Sequence, residues 1–600
     1  MLRAETRASL AANRPGRKGS ALRHPRLPLG AAALRRRRGR ILSTGVIFAL
    51  AIAAAGPTRA QEVPVGSPVA PSQGGAAADQ ALGAALRQLL DRAPSHLLDN
   101  QPIDFASLRR FYAGRGNRPA WTGSDAARVR AMLALSSLAE SGGDGLNPAD
   151  YRLTALSAPP PPDAAGAAAR ELVLTDAFLR YAHDLRLGRV AADEVFDDVH
   201  LPKASFDAVG ALETALQRND LARLIADLPP RHPEYARLSD ALKRYRAIAA
   251  NGGWPQIPEG DELKLDSDDP RLVVLRQRLA VEDAQLAPLP AQAVKGDLAT
   301  ALGRYQARNG LAIDGRIGAK TLAMLNIGAA ERVDQIVANM ERWRWMPRSF
   351  EERYILVNTA DGELEVVDHG EPILLSKVVV GDQRHQSPIL RAYAVSVTVN
   401  PPWRVPLSIA EKEFLPKLRR DPNYLFNENI VVLNGPEGDP YGQHINWQRV
   451  QAKRFPYLLE QLPGPKNSLG GLKIEMPNPF DVYLHDTPLR RLFARAQRTF
   501  SHGCIRVEHV AALASLLLTG DKAEAIPDLE AKIAAGETLN LPATKALPVY
   551  VAYWTAMEDA DGTVGFRADA YDRDGRLTRA LASHSRLISL LKEAPRAAAR

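Results

Sequence analysis

Cysteine is almost missing from this chain: 600 residues hold one, Cys504. That excludes an intrachain disulfide and any metal site built from several cysteines. A membrane-length apolar run is missing where one would matter, since the stretch Ile41 to Ala55 counts 15 residues against the roughly 20 that span a bilayer as a helix. Surplus basic charge is missing from most of the chain. The net charge is +9, but residues 1–60 hold thirteen Lys and Arg against one acid, a net +12, which leaves −3 for residues 61–600. A basic face for phosphate binding has no support from that balance, and no nucleic-acid partner is expected.

What is present describes an exported, multidomain protein. A composition of 46% hydrophobic and 24% charged residues is that of ordinary globular domains, and the length implies about three or four of them. The basic run Arg35 to Arg38 with Arg40, the apolar Ile41 to Ala55 and the small residues before Gln61 follow the order of a signal peptide. Residues 1–60 are therefore expected to direct export, with retention as an N-terminal membrane anchor as the alternative. A Pro, Gly, Ser and Ala-rich linker is expected over 61–78.

Residues 79–266 read as helical. Leu172, Phe178, Tyr181 and Leu185 recur at helical intervals before Gly188, and Pro159 to Pro162 separates two helical blocks. No catalytic constellation stands out there, so a supporting scaffold is expected. A smaller helical unit follows over 267–330. In it Leu298, Leu302 and Tyr305 form one apolar face, Gly310 closes the helix, and Asp314-Gly315 makes a turn. From about residue 350 the period changes to alternation. Tyr354 to Asn358 and Glu363 to Asp368 flank Asp361-Gly362 as a hairpin, and Ala392 to Val399 alternates. A β-rich domain is expected over 350–545 and a C-terminal extension over 546–600. Residues 408–468 interrupt the β pattern with a helix, for which Ser408 and Glu411 suit a capping box, and then a Pro, Asn and Gly-rich stretch. That insertion is a candidate lid.

The chemistry concentrates in DVYLHDTPLRRLFARAQRTFSHGCIRVEHVAALASLLLTG, Asp481 to Gly520. Asp481 to His485 reads as a strand and Val510 to Leu517 as a helix ending at Gly520, which puts Cys504 in a turn before a helix N-terminus. The positive end of that helix and Arg506 would favour the thiolate. Gly503 permits a tight turn in which the amides of His502, Gly503 and Cys504 could converge on an oxyanion. A base must reach the sulfur, and His485 at a strand end is better placed than His502, which flanks the nucleophile too closely. A zinc site built from His485, Asp486, His502, Cys504 and His509 fits no familiar ligand spacing.

The HDT of His485 to Thr487 followed by SHGCIRV, Ser501 to Val507, resembles the signature of the L,D-transpeptidase, or YkuD-type, catalytic domain. NPPWRVP (Asn400 to Pro406), PGPKNSLG (Pro463 to Gly470), YLHDTP (Tyr483 to Pro488), GGWPQIPEG (Gly252 to Gly260) and ERWRWMP (Glu341 to Pro347) are similar to its large scaffold-bearing, YcbB-like branch. LATALGRYQARNGLAIDGRIGAKTLAMLN, Leu298 to Asn326, resembles a small helical peptidoglycan-binding domain. The resemblance implies a multidomain α+β protein: helical scaffold, peptidoglycan-binding unit, and a β-sandwich-like catalytic domain with an inserted capping subdomain. It implies Cys504 as nucleophile and His485 as proton acceptor and donor. Ser501, His502, Gly503 and Arg506 would surround the oxyanion, while Trp403, Tyr483 and Asp486 would line the pocket. Close relatives in this branch often carry a small residue in place of His502.

The activity implied is third-to-third cross-linking of peptidoglycan stem peptides in the periplasm through a Cys504 thioester, with no cofactor or metal and with carbapenems as acylating inhibitors. An L,D-carboxypeptidase, or an enzyme attaching proteins to the wall, would use the same nucleophile. A non-catalytic wall-binding scaffold with an inert cysteine is the alternative of another class.

Overall fold

The computed structural model describes residues 73–92, 97–98, 101–159, 161–286 and 295–593. The expected export segment, residues 1–60, lies outside them. Among the described residues no helix is long and apolar enough to cross a membrane. The helix Gln73–Arg92 starts inside the stretch expected as linker, because its alanines favour helix over coil.

The N-terminal half is helical, as its periodicity predicts. Its central helix, Ala164–Leu187, is capped by Asp163, whose carboxylate accepts from the Gly166 amide at 2.8 Å, and it stops at Gly188 with φ of 98°. Leu172, Phe178, Tyr181 and Leu185 on it are all buried. They share one core with the helix Ala329–Trp345 and with Tyr550, Tyr553 and Trp554 of the β-rich domain. The Trp343 and Trp554 rings stack at 4.0 Å across that junction.

The small helical unit has a core of its own, with Leu298, Leu302 and Tyr305 facing Leu275, Leu279 and Leu325. Ile257 and Leu263 also belong to it, so this core begins about ten residues before the expected boundary at 267. The side chain of Asn326 binds both backbone groups of Ile257 at 2.8 Å, a cross-link that local periodicity does not reveal.

The β-rich domain is built on a ten-stranded sheet, in which Thr499–Ser501 and Val199–His200 join eight strands: β1 Arg353–Asn358, β2 Glu363–Asp368, β3 Glu371–Gly381, β4 Ile389–Val399, β5 Leu472–Glu475, β6 Leu484–His485, β7 Ile505–Val507 and β8 Leu539–Ala552. Their order is β5-β6-β7-β3-β2-β1-β8-β4, and β4 pairs back onto β5, so the sheet closes on itself. The hairpin expected at Asp361-Gly362 is β1–β2. Apolar residues that alternate along the strands, Val378, Val380, Ala394, Val397 and Ile474 among them, meet the helix Val510–Thr519 in a second core.

Two expectations change here. Strand β8 runs through the boundary drawn at 545/546 and lies between β1 and β4, so residues 546–552 belong to the sheet. Its first half is interrupted by a register shift between Pro542 and Leu547, which hides it from a search for clean alternation. The capping box also fails to form. The short helix Leu407–Ile409 starts after Pro406, placing Ser408 inside the first turn rather than at the cap.

The segment between β4 and β5 folds around its own core of Ile409, Phe414, Leu418, Leu425, Trp447 and Leu459. A three-stranded sheet ties it together, with Leu459–Gln461 between Trp403–Arg404 and Ile430–Val432.

Candidate active site

Register places the chemistry. Strand β6 is parallel to β7, with Leu484 opposite Ile505 and His485 opposite Arg506. It is antiparallel to β5, with Lys473 opposite His485. Directly opposed residues project on the same face, so Lys473, His485 and Arg506 form a row across three strands. One step back, the Tyr483 carbonyl accepts from the Ile505 amide at 3.1 Å, which brings Tyr483 against Cys504.

The nucleophile turn is held from several sides. Gly503 has φ of 110°, a conformation that side chains rarely tolerate. The buried Ser501 hydroxyl donates to the Cys504 carbonyl at 2.5 Å and accepts from the Gly503 amide at 3.2 Å. Ser387 donates to the Gly503 carbonyl at 2.7 Å. The Gly503 amide thus has a partner inside the turn.

The helix terminus is not at the cysteine. Strand β7 intervenes, and the helix starts only at Val510. With Ile505 and Val507 fully buried in the sheet, the residues after Cys504 satisfy β packing first. The thiol is half-buried, 3.9 Å from the Asp481 carbonyl and within reach of the Tyr483 phenol. Burial pushes the Cys504 thiol up, opposed by the backbone and phenol of Tyr483 and by the charges of Lys473 and Arg506. Burial, aided by the Arg506 charge, pulls His485 down to about 3, although hydrogen bonding to the backbone of Asp486 and Leu469 pulls the other way. At neutral pH the Cys504 thiol and the His485 imidazole are therefore both neutral.

His485 is buried, and its Nδ1 has no hydrogen-bond partner among the described residues. Its ring meets that of Tyr483 edge-on at 5.7 Å. A neutral imidazole with a vacant ring nitrogen can take a proton from a thiol and return it to a departing amine. Arg506 makes no ion pair among the described residues, and its Nε is buried without a partner. Lys473 lies over the Tyr483 ring at 4.1 Å and pairs with Glu475 at 2.7 Å.

Of the other residues named from sequence, Trp403 reaches the Tyr483 phenol and packs edge-on against Phe414 at 6.2 Å. It thus links the site to the inserted segment. Asp486 turns elsewhere, accepting from the Gly471 amide and from Arg490, both at 3.0 Å. His502 turns away from the thiol, toward Glu413. Lys473 escaped the sequence reading. Its signal, the alternation of Leu472, Lys473, Ile474 and Glu475, gives a strand but not the register that puts its charge beside a nucleophile.

Comparison with known proteins bears on the same region. Residues 352–525 match the family described as the L,D-transpeptidase catalytic domain. The chain carries an L,D-transpeptidase catalytic domain. Residues 106–242 match the Scaffold domain family, within the helical half. A Haemophilus influenzae (strain ATCC 51907 / DSM 11121 / KW20 / Rd) protein named "Putative L,D-transpeptidase" is 33% identical over 246 residues, which are 41% of this chain and 49% of that protein. The match thus spans about half the length of that relative. Within the matched residues, Tyr483 lies against Cys504 and packs edge-on against His485, whose strand pairs with the one that follows the cysteine.

Proposed function

We propose that this protein is a periplasmic peptidoglycan L,D-transpeptidase that forms third-to-third cross-links through a thioester on Cys504. The observation that carries the reading is the pairing of β6 with β7, which sets a buried, neutral His485 beside the strand that directly follows Cys504. Substrate would be a tetrapeptide stem whose third residue is a diamino acid such as meso-diaminopimelate. The sulfur attacks the carbonyl of that residue while His485 takes the thiol proton. Collapse of the tetrahedral intermediate breaks the bond to the terminal D-alanine, whose amine leaves with the proton from His485. The side-chain amine of a second stem then attacks the thioester, gives its proton to His485 and restores the thiol. Tyr483 stands nearest the sulfur as a donor to the developing oxyanion. Arg506, a cation without a carboxylate partner, suits a carboxylate of the donor stem.

Water in place of the amine would make the same site an L,D-carboxypeptidase. The neutral resting pair favours neither acceptor, so the products decide. Incubation of the exported portion with disaccharide-tetrapeptides, followed by mass spectrometry, should yield dimers that have lost one D-alanine. Tripeptide as the sole product would make the enzyme a carboxypeptidase, and unchanged substrate would remove the catalytic reading. Residues 257–325, with their separate core, are proposed to bind the wall.

A further inference from the structure

The inserted segment touches the nucleophile turn at a point the reaction scheme does not use. Its helical stretch Leu407–Leu418 is not uniform: Ala410–Phe414 is a π turn between two α segments. Such turns displace the residues they carry and recur at functional positions. Ala410 and Phe414 are buried in the insert's own core, while Glu413 between them points out and hydrogen-bonds Nε2 of His502. His502 stands one residue before Gly503 and two before Cys504.

The other face of the His502 ring rests on His385, with ring centroids 4.8 Å apart. His385 is fixed in turn by Asp382, which accepts from its Nδ1 at 3.1 Å and from its amide at 2.8 Å. The Asp382 amide donates to the Ser501 carbonyl at 2.8 Å. This loop is itself tight: a Cβ on Gly381 would come within 2.0 Å of the His385 carbonyl. His502 is thus backed by the sheet and gripped by the insert. Among the described residues, Glu413–His502 is the one hydrogen bond or ion pair joining residues 407–461 to residues 481–510.

We propose that Glu413 is a positioning residue, which clamps the inserted subdomain over the nucleophile turn through His502. The proposal rests on the transpeptidase reading and adds to it what decides the fate of the thioester. An insert with a separate core can move as a body, and beside the Trp403–Tyr483 contact the Glu413–His502 hydrogen bond ties its helical stretch to the nucleophile turn in the closed pose. Closed, it seats the acyl-enzyme for a second stem and keeps water from the thioester; released, it lets hydrolysis compete. Glu413 touches no reacting atom.

The test is a double-mutant cycle with Glu413→Gln, His502→Gln and the pair, read as the ratio of cross-linked dimer to hydrolysed tripeptide. Each single change should lower that ratio roughly tenfold, the size of one charge-assisted hydrogen bond. The double variant should be no worse than either single variant. Thermal midpoints should stay at the wild-type value, and hydrogen–deuterium exchange should rise in residues 407–418. Single effects that multiply in the double variant, or an unchanged ratio, would overturn the clamp. Should the wild type transfer the acyl group to neither amine nor water, the transpeptidase reading fails on its own. Exchange in residues 407–418 then decides the clamp, and unchanged protection in Glu413→Gln would reject it.

Discussion

Charged groups on the helix Ala329–Trp345 and in the catalytic pocket differ in whether they meet a carboxylate. On the helix Ala329–Trp345, Arg344 is answered by Glu341 at 2.5 Å and by Tyr235 at 2.9 Å, while Arg342 is answered by Asp574 at 2.6 Å. Glu341 also accepts from the Val190 amide at 3.1 Å. In the catalytic pocket, among the described residues, Arg506 has no carboxylate and His485 Nδ1 has no hydrogen-bond partner, while the Cys504 thiol has the Asp481 carbonyl at 3.9 Å and the Tyr483 phenol. The first arrangement fixes how scaffold and sheet meet. The second leaves unspent interactions for a ligand to complete. Stability and reactivity are therefore separable by mutation.

The largest expected effect on the reactive side is Cys504→Ala, which should abolish adduct formation with any acyl donor while the far-ultraviolet circular dichroism and thermal midpoint stay near wild type. A half-buried turn residue contributes little packing. His485→Ala should follow, lowering acylation by about 10²–10⁴-fold, measured as the rate of carbapenem adduct formation by intact mass. His502→Ala should cost much less in the same assay. The reverse ranking would move the base to His502.

On the structural side, Glu341→Ala leaves Arg344 buried without its carboxylate. The expected loss is about 3–5 kcal/mol of stability, read by chemical denaturation. Carbapenem acylation by the fraction that remains folded should be nearly unchanged. A large loss of acylation at full folding would couple the two regions and break the comparison.

The smallest effect concerns pH. Because burial holds His485 neutral down to about 3, protonation of this base should not remove activity between pH 7 and 5. The rate of acylation should therefore lack a limb centred near the ordinary histidine value of about 6.5. Because burial raises the thiol, iodoacetamide labelling of Cys504 should climb only above the free-cysteine value of about 8.5. Fast labelling at pH 6 would instead reveal a thiolate–imidazolium pair.

Local patterns exposed much of this structure and missed what depends on distant pairing. Asp361-Gly362 between alternating runs marks β1–β2, and Gly520 ends the helix after Val510, because turn chemistry and periodicity act within a few residues. The choice of His485 as base rested on its place at a strand end and on motif resemblance; strands of two and three residues carry too little pattern to assign their register. The same shortness concealed Lys473. Strand β7 also displaced the expected helix terminus, since Ile505 and Val507 are buried in the sheet. Glu413 could not be read as a partner of His502, because that contact spans 89 positions and depends on a π turn.

The central claim is that Cys504 carries the acyl group, with His485 as its proton carrier. Intact-mass analysis of the exported portion after brief exposure to a tetrapeptide-stem donor, quenched in acid, tests it most directly. The account predicts one adduct per chain with the mass of the stem minus D-alanine, mapped by digestion to the peptide containing Cys504 and absent from Cys504→Ala. Product release with no adduct on Cys504, or equal turnover by Cys504→Ala, would contradict it.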